Sequence, residues 1–331
     1  MIWPRTLALV LCTSVLISVA KGAIEPPGTS QTAKQTEQKP QPRRGARWFL
    51  HPQKNTPAGQ LSYAYELYKA RRYWMSGRAY LALVYAWPDS AQAPAAQLAY
   101  AQVQEHRRNY TDAFDEYQYL IDQYPGQFDY RFVLDRQFQI ANYVMTEPRR
   151  FLFFPAFKAP ERALPLFEQI SRNAPTWERA AEVQFKIGLI HEENSEDEEA
   201  IAAYEILQNR YPNGEWAALA SFHEAQCLYG VFKNRPNDEN TCNAARAALV
   251  QFITTYPGNP NIAIARTYLD ALNTRISTLA FERARFYDEL AHRPQSAIAA
   301  YEDFIAKFPN SPLVSKSRQR LDQLRKEAQE P

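Results

Sequence analysis

The stretch Ala297-Ile298-Ala299-Ala300-Tyr301-Glu302-Asp303-Phe304-Ile305-Ala306-Lys307-Phe308-Pro309 decides the fold. Its frame is a small residue, an aromatic four later, and a second aromatic directly before a proline. The frame recurs at Ala113/Tyr117/Tyr124/Pro125 and at Ala200/Tyr204/Tyr211/Pro212. With one change it stands at Ser76/Tyr80/Trp87/Pro88, Ala163/Phe167/Ala174/Pro175 and Ala245/Leu249/Tyr256/Pro257. Positions four apart share a helix face, so the small residue admits a neighbouring helix and the ring fills the space beside it. The proline cannot continue a helix and disfavours helical geometry in the residue before it. Six copies of such a frame mark a chain built from stacked repeats.

Composition agrees. Hydrophobic residues make up 46% of the 331 residues and aromatics 13%, ample for a core, while only 10 glycines interrupt the alanine-rich spacing. That usage favours helices over sheets. Met1 to about Gly22 reads as a secretory signal: Arg5 gives the basic start and Leu7–Ala20 the apolar run. Ser18-Val19-Ala20 or Ala20-Lys21-Gly22 offers the small residues for cleavage. The alternatives are an uncleaved anchor, for which the run is short, and lipidation of Cys12, which has Leu11 where a small residue is wanted. Cleavage removes Arg5 and Lys21 and leaves basic and acidic residues equal at 36 each. Nothing in that balance points to nucleic acid.

Residues 23–57 hold Pro26, Pro27, Pro40, Pro42, Pro52 and Pro57 among polar residues and read as a flexible linker. It is locally basic at Arg43, Arg44 and Arg47, ahead of Trp48-Phe49-Leu50. Residues 58–328 read as about six helix pairs, an all-α superhelix. Ile262 to about Leu290 forms one long helix, and a charged amphipathic helix over Leu313–Ala328 caps the end. The regular step between frames is thirty-seven residues, but Pro125 and Pro175 are fifty apart. The excess is an insertion at 146–160 with Phe151, Phe153, Phe154 and Phe157 close together. These rings either plug the gap the insertion makes or form an apolar patch for a partner or membrane surface. Cys227 and Cys242 flank a loop between helices, so they either pair as a disulfide or stay as buried thiols. Ser195-x-x-Glu198 is expected to form a capping box, with Glu196–Glu199 in the first turn of the helix it opens.

Catalysis is not expected. The histidines, His51, His106, His191, His223 and His292, fall in different repeats. HExxH, CxxC, a glycine-rich phosphate loop and a nucleophile elbow are all missing from the sequence. No metal or cofactor is implied.

The Ala-x3-aromatic…Pro frame resembles the second helix of the tetratricopeptide repeat. Gly188, twelve before Ala200, falls where that repeat places a small residue for close helix approach, as do Ala64 and Ala101. Tyr256-Pro257-Gly258-Asn259-Pro260, the helix through Leu279–Tyr287 and Ala297…Phe308-Pro309-Asn310-Ser311-Pro312 resemble the BamD-type outer-membrane assembly lipoproteins. The resemblance implies a non-enzymatic periplasmic scaffold at the inner face of the outer membrane. Its expected partner is the outer-membrane β-barrel assembly protein, and the lipid anchor is in doubt for want of a lipobox. A periplasmic adaptor between cell-wall synthesis and envelope constriction is the alternative. Partner-contact candidates are Tyr63, Arg71, Arg72, Tyr100 and Arg107 on the first repeats, together with the four phenylalanines of the insertion.

Overall fold

The computed structural model describes residues 50–151 and 154–328. Among them six helix pairs follow one another. They are α1 (Pro57–Lys69) with α2 (Tyr73–Ala86), α3 (Ala93–His106) with α4 (Tyr110–Gln123), and α5 (Tyr130–Thr146) with α6 (Leu164–Asn173). Then come α7 (Ala180–Glu193) with α8 (Asp197–Arg210), α9 (Glu215–Asn234) with α10 (Glu239–Thr255), and α11 (Ile262–Arg285) with α12 (Pro294–Lys307). A last helix, α13 (Val314–Glu327), lies against α12 and closes the all-α tetratricopeptide superhelix. The expected signal peptide, Cys12 and the linker up to residue 49 lie outside the described residues. Thr56 ends the linker by capping α1, its Oγ1 accepting from the Gly59 N–H at 3.2 Å.

The frame does in space what its spacing implies. Its small residues, Ser76, Ala113, Ala163, Ala200, Ala245 and Ala297, are all 0% exposed. The residues four later are buried too, from Tyr80 and Tyr117 to Tyr301. Each residue before the proline ends its helix in one geometry: its N–H still reaches the carbonyl four back, as in Phe308 to Phe304 at 2.9 Å. Its ψ, however, has swung to about 60°, as at Trp87, Ala174 and Tyr211. Gly188 is small for a direct reason: a Cβ there would lie 2.5 Å from the Tyr204 ring.

A second rung joins the regular pairs and has no counterpart in the frame. Gln60, Gln97 and Gln184 are buried and donate their amides to the carbonyls of Ala79, Glu116 and Ala203, at 2.9, 2.9 and 3.1 Å. Each acceptor precedes the frame aromatic, and each bond spans nineteen residues. A buried amide stays because its donor is satisfied.

The structure corrects some of the expectations and decides between others. Ser195 is not an N-cap: with φ of 62° it is the left-handed residue of the turn, equivalent to Arg71 and Arg108 at 57° and 62°. α8 starts at Asp197 without a side-chain cap, although Asp197, Glu198 and Glu199 do occupy its first turn. Cys227 and Cys242 form no disulfide. Both are buried free thiols facing different clusters, Cys227 with Phe185 and Tyr204, Cys242 with Leu249 and Phe252. The long helix is not α-helical to its end, because Phe286–Leu290 makes a π-helical turn. The insertion holds two antiparallel strands, β1 (Arg149–Phe151) and β2 (Phe154–Phe157), with Arg149 opposite Phe157 and Phe151 opposite Phe154. A 3-10 turn, Pro160–Ala163, then leads into α6. Phe153 and the side chains of Phe151, Phe154 and Phe157 lie outside the described residues.

Candidate partner-binding groove

The first helices of the first three pairs line a groove. Leu61, Tyr65 and Tyr68 of α1 recur at intervals of four and three, which places them on one face. With Tyr80 of α2 and Ala99 and Gln102 of α3 they line a recess of about 410 Å³. A second recess of about 440 Å³ shares Tyr68 and Gln102 and continues past Glu105, His106, Tyr110, Phe132 and Arg136. The first part is mainly apolar; the second carries the charges.

An ion pair ties the second part together. Arg136 of α5 forks onto Glu105 of α3, Nε donating to Oε1 at 3.1 Å and Nη2 to Oε2. Donating to the Glu105 carboxylate holds the Arg136 guanidinium above its usual pKa against the opposing effect of burial. Glu105 is only 11% exposed, so the pair is part of the groove floor and not a loose surface bridge. Tyr117 stands beside this pair, and burial drives its hydroxyl far above the ordinary phenol range. Tyr68 shares a hydrogen bond with His106 Nε2, and the His106 ring stacks on Tyr73 at 5.2 Å. Burial, then the neighbouring Tyr73 and Glu105, raises the Tyr68 hydroxyl. Tyr65 and Phe132 stay open at 52% and 38% exposure. Apolar rings over a fixed polar floor suit a polypeptide segment with apolar and hydrogen-bonding side chains.

Of the expected residues whose side chains are described, Tyr63, Arg71, Arg72, Tyr100 and Arg107, none lines this groove. Tyr63 faces another recess, of about 350 Å³, with His51, Gln60, Trp74 and Arg78. Tyr100 packs over Gly77, and its hydroxyl accepts from Gln104 at 2.7 Å. Arg71, Arg72 and Arg107 are exposed on the turns inside the first two pairs. A usable signal did exist: Tyr65 and Gln102, Tyr68 and Glu105, and Ala99 and Arg136 each stand one regular step of thirty-seven apart.

The scattered histidines do meet other residues. Tyr204 donates to Glu192 Oε2 at 2.7 Å, and His223 Nδ1 approaches the same oxygen at 2.8 Å. Burial opposes ionisation of Glu192, but these two bonds outweigh it and keep the carboxyl below its ordinary value. The group locks the Tyr204 ring over Gly188. Among the described residues no cluster of histidine, cysteine or acid could hold a metal ion.

Residues 178–329 match the family described as outer membrane lipoprotein (YfiO), and residues 95–126, covering most of α3 and all of α4, match the tetratricopeptide repeat. Over residues 178–329 the chain is BamD-like, and its stacked pairs are tetratricopeptide repeats. The lipoprotein match covers α7–α13, so the groove lies in the half that precedes it. Among solved structures, the C-terminal part of a repeat protein from Cytophaga hutchinsonii is 16% identical, covering 80% of this chain and 88% of that one, with a TM-score of 0.34. YrrB, a tetratricopeptide protein, is 14% identical over 64% of this chain and 92% of its own, with a TM-score of 0.31. PilF of Pseudomonas aeruginosa is 13% identical over 80% and 97%, with a TM-score of 0.27.

Proposed function

We propose that this BamD-like protein is a non-enzymatic scaffold of the bacterial envelope that serves outer-membrane β-barrel assembly. The reading places it in the periplasm, at the inner face of the outer membrane. The groove between α1, α3 and α5 is its partner site, and the single observation behind that role is its continuity across three pairs, apolar at Tyr65 and polar at Arg136. The assignment to barrel assembly rests on the outer membrane lipoprotein match over residues 178–329. Affinity capture from detergent-solubilised envelopes tests it. Recovery of the barrel-assembly protein is expected; recovery of a cell-wall synthase without it points to the adaptor reading instead.

A further inference from the structure

The turns inside the first three helix pairs are each net basic. Arg71-Arg72 joins α1 to α2, Arg107-Arg108 joins α3 to α4, and Arg149-Arg150 opens the connection from α5 to α6, which also holds Lys158. Antiparallel helix pairs put these connections on one edge, and ring contacts show that they are neighbours. Tyr73, just after the first turn, stacks on His106, just before the second, at 5.2 Å. Tyr110, just after the second turn, meets Tyr143, near the end of α5, at 4.2 Å. Arg71, Arg72, Arg107 and Arg108 are exposed; of the two acids in the third connection, Glu147 and Glu161, the first accepts from the Tyr143 hydroxyl at 2.7 Å.

The opposite edge differs. The connections between the first three pairs, residues 87–92 and 124–129, contain Asp89 and Asp129 and no base. The basic run also stops at the fourth pair, where the turn is Asn194-Ser195-Glu196 followed by three acids. A chain of nearly balanced charge therefore carries three arginine pairs on one edge of its first three helix pairs, the third of them in β1.

The geometry points to this edge as a docking surface for a bilayer rich in anionic phospholipid. Arginine forks match phosphate oxygens, tyrosines such as Tyr73, Tyr110 and Tyr143 at this edge suit the headgroup boundary, and clustered basic residues are drawn to an anionic surface within a Debye length. No helix among the described residues is long and apolar enough to cross a membrane, so the contact would be peripheral. The proposal goes beyond the partner groove and does not depend on what fills it.

Vesicle flotation of the full chain tests it, with phosphatidylcholine vesicles containing or lacking phosphatidylglycerol. Phosphatidylglycerol-dependent binding that weakens with salt is expected. Combined Arg71→Gln, Arg72→Gln, Arg107→Gln and Arg108→Gln should reduce that binding by about tenfold or more, since each basic residue near the surface counts. Arg210→Gln, Arg246→Gln, Arg266→Gln and Arg318→Gln together change net charge equally and should leave binding within about twofold. An apolar N-terminal run would act on both vesicle types and is common to all the variants. Equal loss in both sets, or no dependence on phosphatidylglycerol, overturns the proposal. So does edge-dependent binding of an acidic polypeptide with none to the vesicles, which would make the surface a protein site.

Discussion

Arg320 of α13 holds Asp288 of the π-helical turn in a two-pronged grip, Nε on Oδ2 and Nη2 on Oδ1, both at 2.8 Å. Tyr301, the frame ring of the last repeat, adds its hydroxyl to Oδ2 at 3.3 Å. The turn that ends the long helix, the last frame and the terminal helix thus meet at one carboxylate, which is 4% exposed. The bonds from Arg320 hold Asp288 below the ordinary carboxyl range despite burial. Burial, then the Asp288 charge, pushes the Tyr301 hydroxyl up to about 12.

Arg320→Ala should destabilise the C-terminal unit by about 2–3 kcal/mol, because it strands a buried carboxylate. Asp288→Ala should cost less, since Arg320 is 35% exposed and reaches water. The pH dependence has a definite sign. A carboxyl whose folded pKa is depressed contributes fully above its unfolded value of about 3.9 and loses that contribution as pH falls through the folded value. The stability gap between wild type and Arg320→Ala, measured by denaturant titration, should be flat near neutrality and shrink below about pH 4.

Gly188→Ala should lower stability by about 1–3 kcal/mol. The new methyl meets three Tyr204 ring carbons at 2.5–2.9 Å. That ring cannot step aside, being 0% exposed and tied through its hydroxyl to Glu192. Gly77→Ala is the informative control, because its closest contact is Val103 at 3.2 Å. Thermal melts should show a markedly larger drop for Gly188→Ala.

Cys227 and Cys242 should resist maleimide in the native protein and react once it is unfolded. Burial pushes the Cys227 thiol up to about 12 and raises Cys242 as well, which leaves little thiolate to attack. Mass spectrometry of labelled peptides reads both outcomes. A disulfide-linked peptide from the native protein would refute the free-thiol assignment.

Phe132→Ser and Tyr65→Ala should weaken partner capture about tenfold with little change in melting temperature, because both rings are open to solvent and contribute little to the core. Tyr63→Ala, two positions from both Leu61 and Tyr65 and lining another recess, should leave capture unchanged.

Much of the fold could be read from the frame, because Ala297 to Tyr301 is an interaction within one helix and its period is local. The groove could not. Tyr63 and Tyr65 look alike in sequence, and only the rotation of one pair against the next decides which faces the groove. Ser195 was open to misreading for a related reason, since serine before an acidic helix start suits both a cap and a turn. Its left-handed φ comes from the closed bond between the Glu196 N–H and the His191 carbonyl, at 2.9 Å. The strands at 149–157 pair across only a few residues, and their phenylalanines, interrupted by Pro155, show neither helical period nor clear alternation. The glutamine rung was visible as Gln60 and Gln97 thirty-seven apart, but a polar residue in a core position is recognised only once its acceptor is known.

Photo-crosslinking in living cells tests the central claim most directly, with a photoreactive residue replacing Tyr65 in the groove and, as a control, Tyr63 outside it. The scaffold reading predicts an adduct with the outer-membrane β-barrel assembly protein from position 65 and none from position 63. Adducts from neither position, or equal adducts from both, would contradict it.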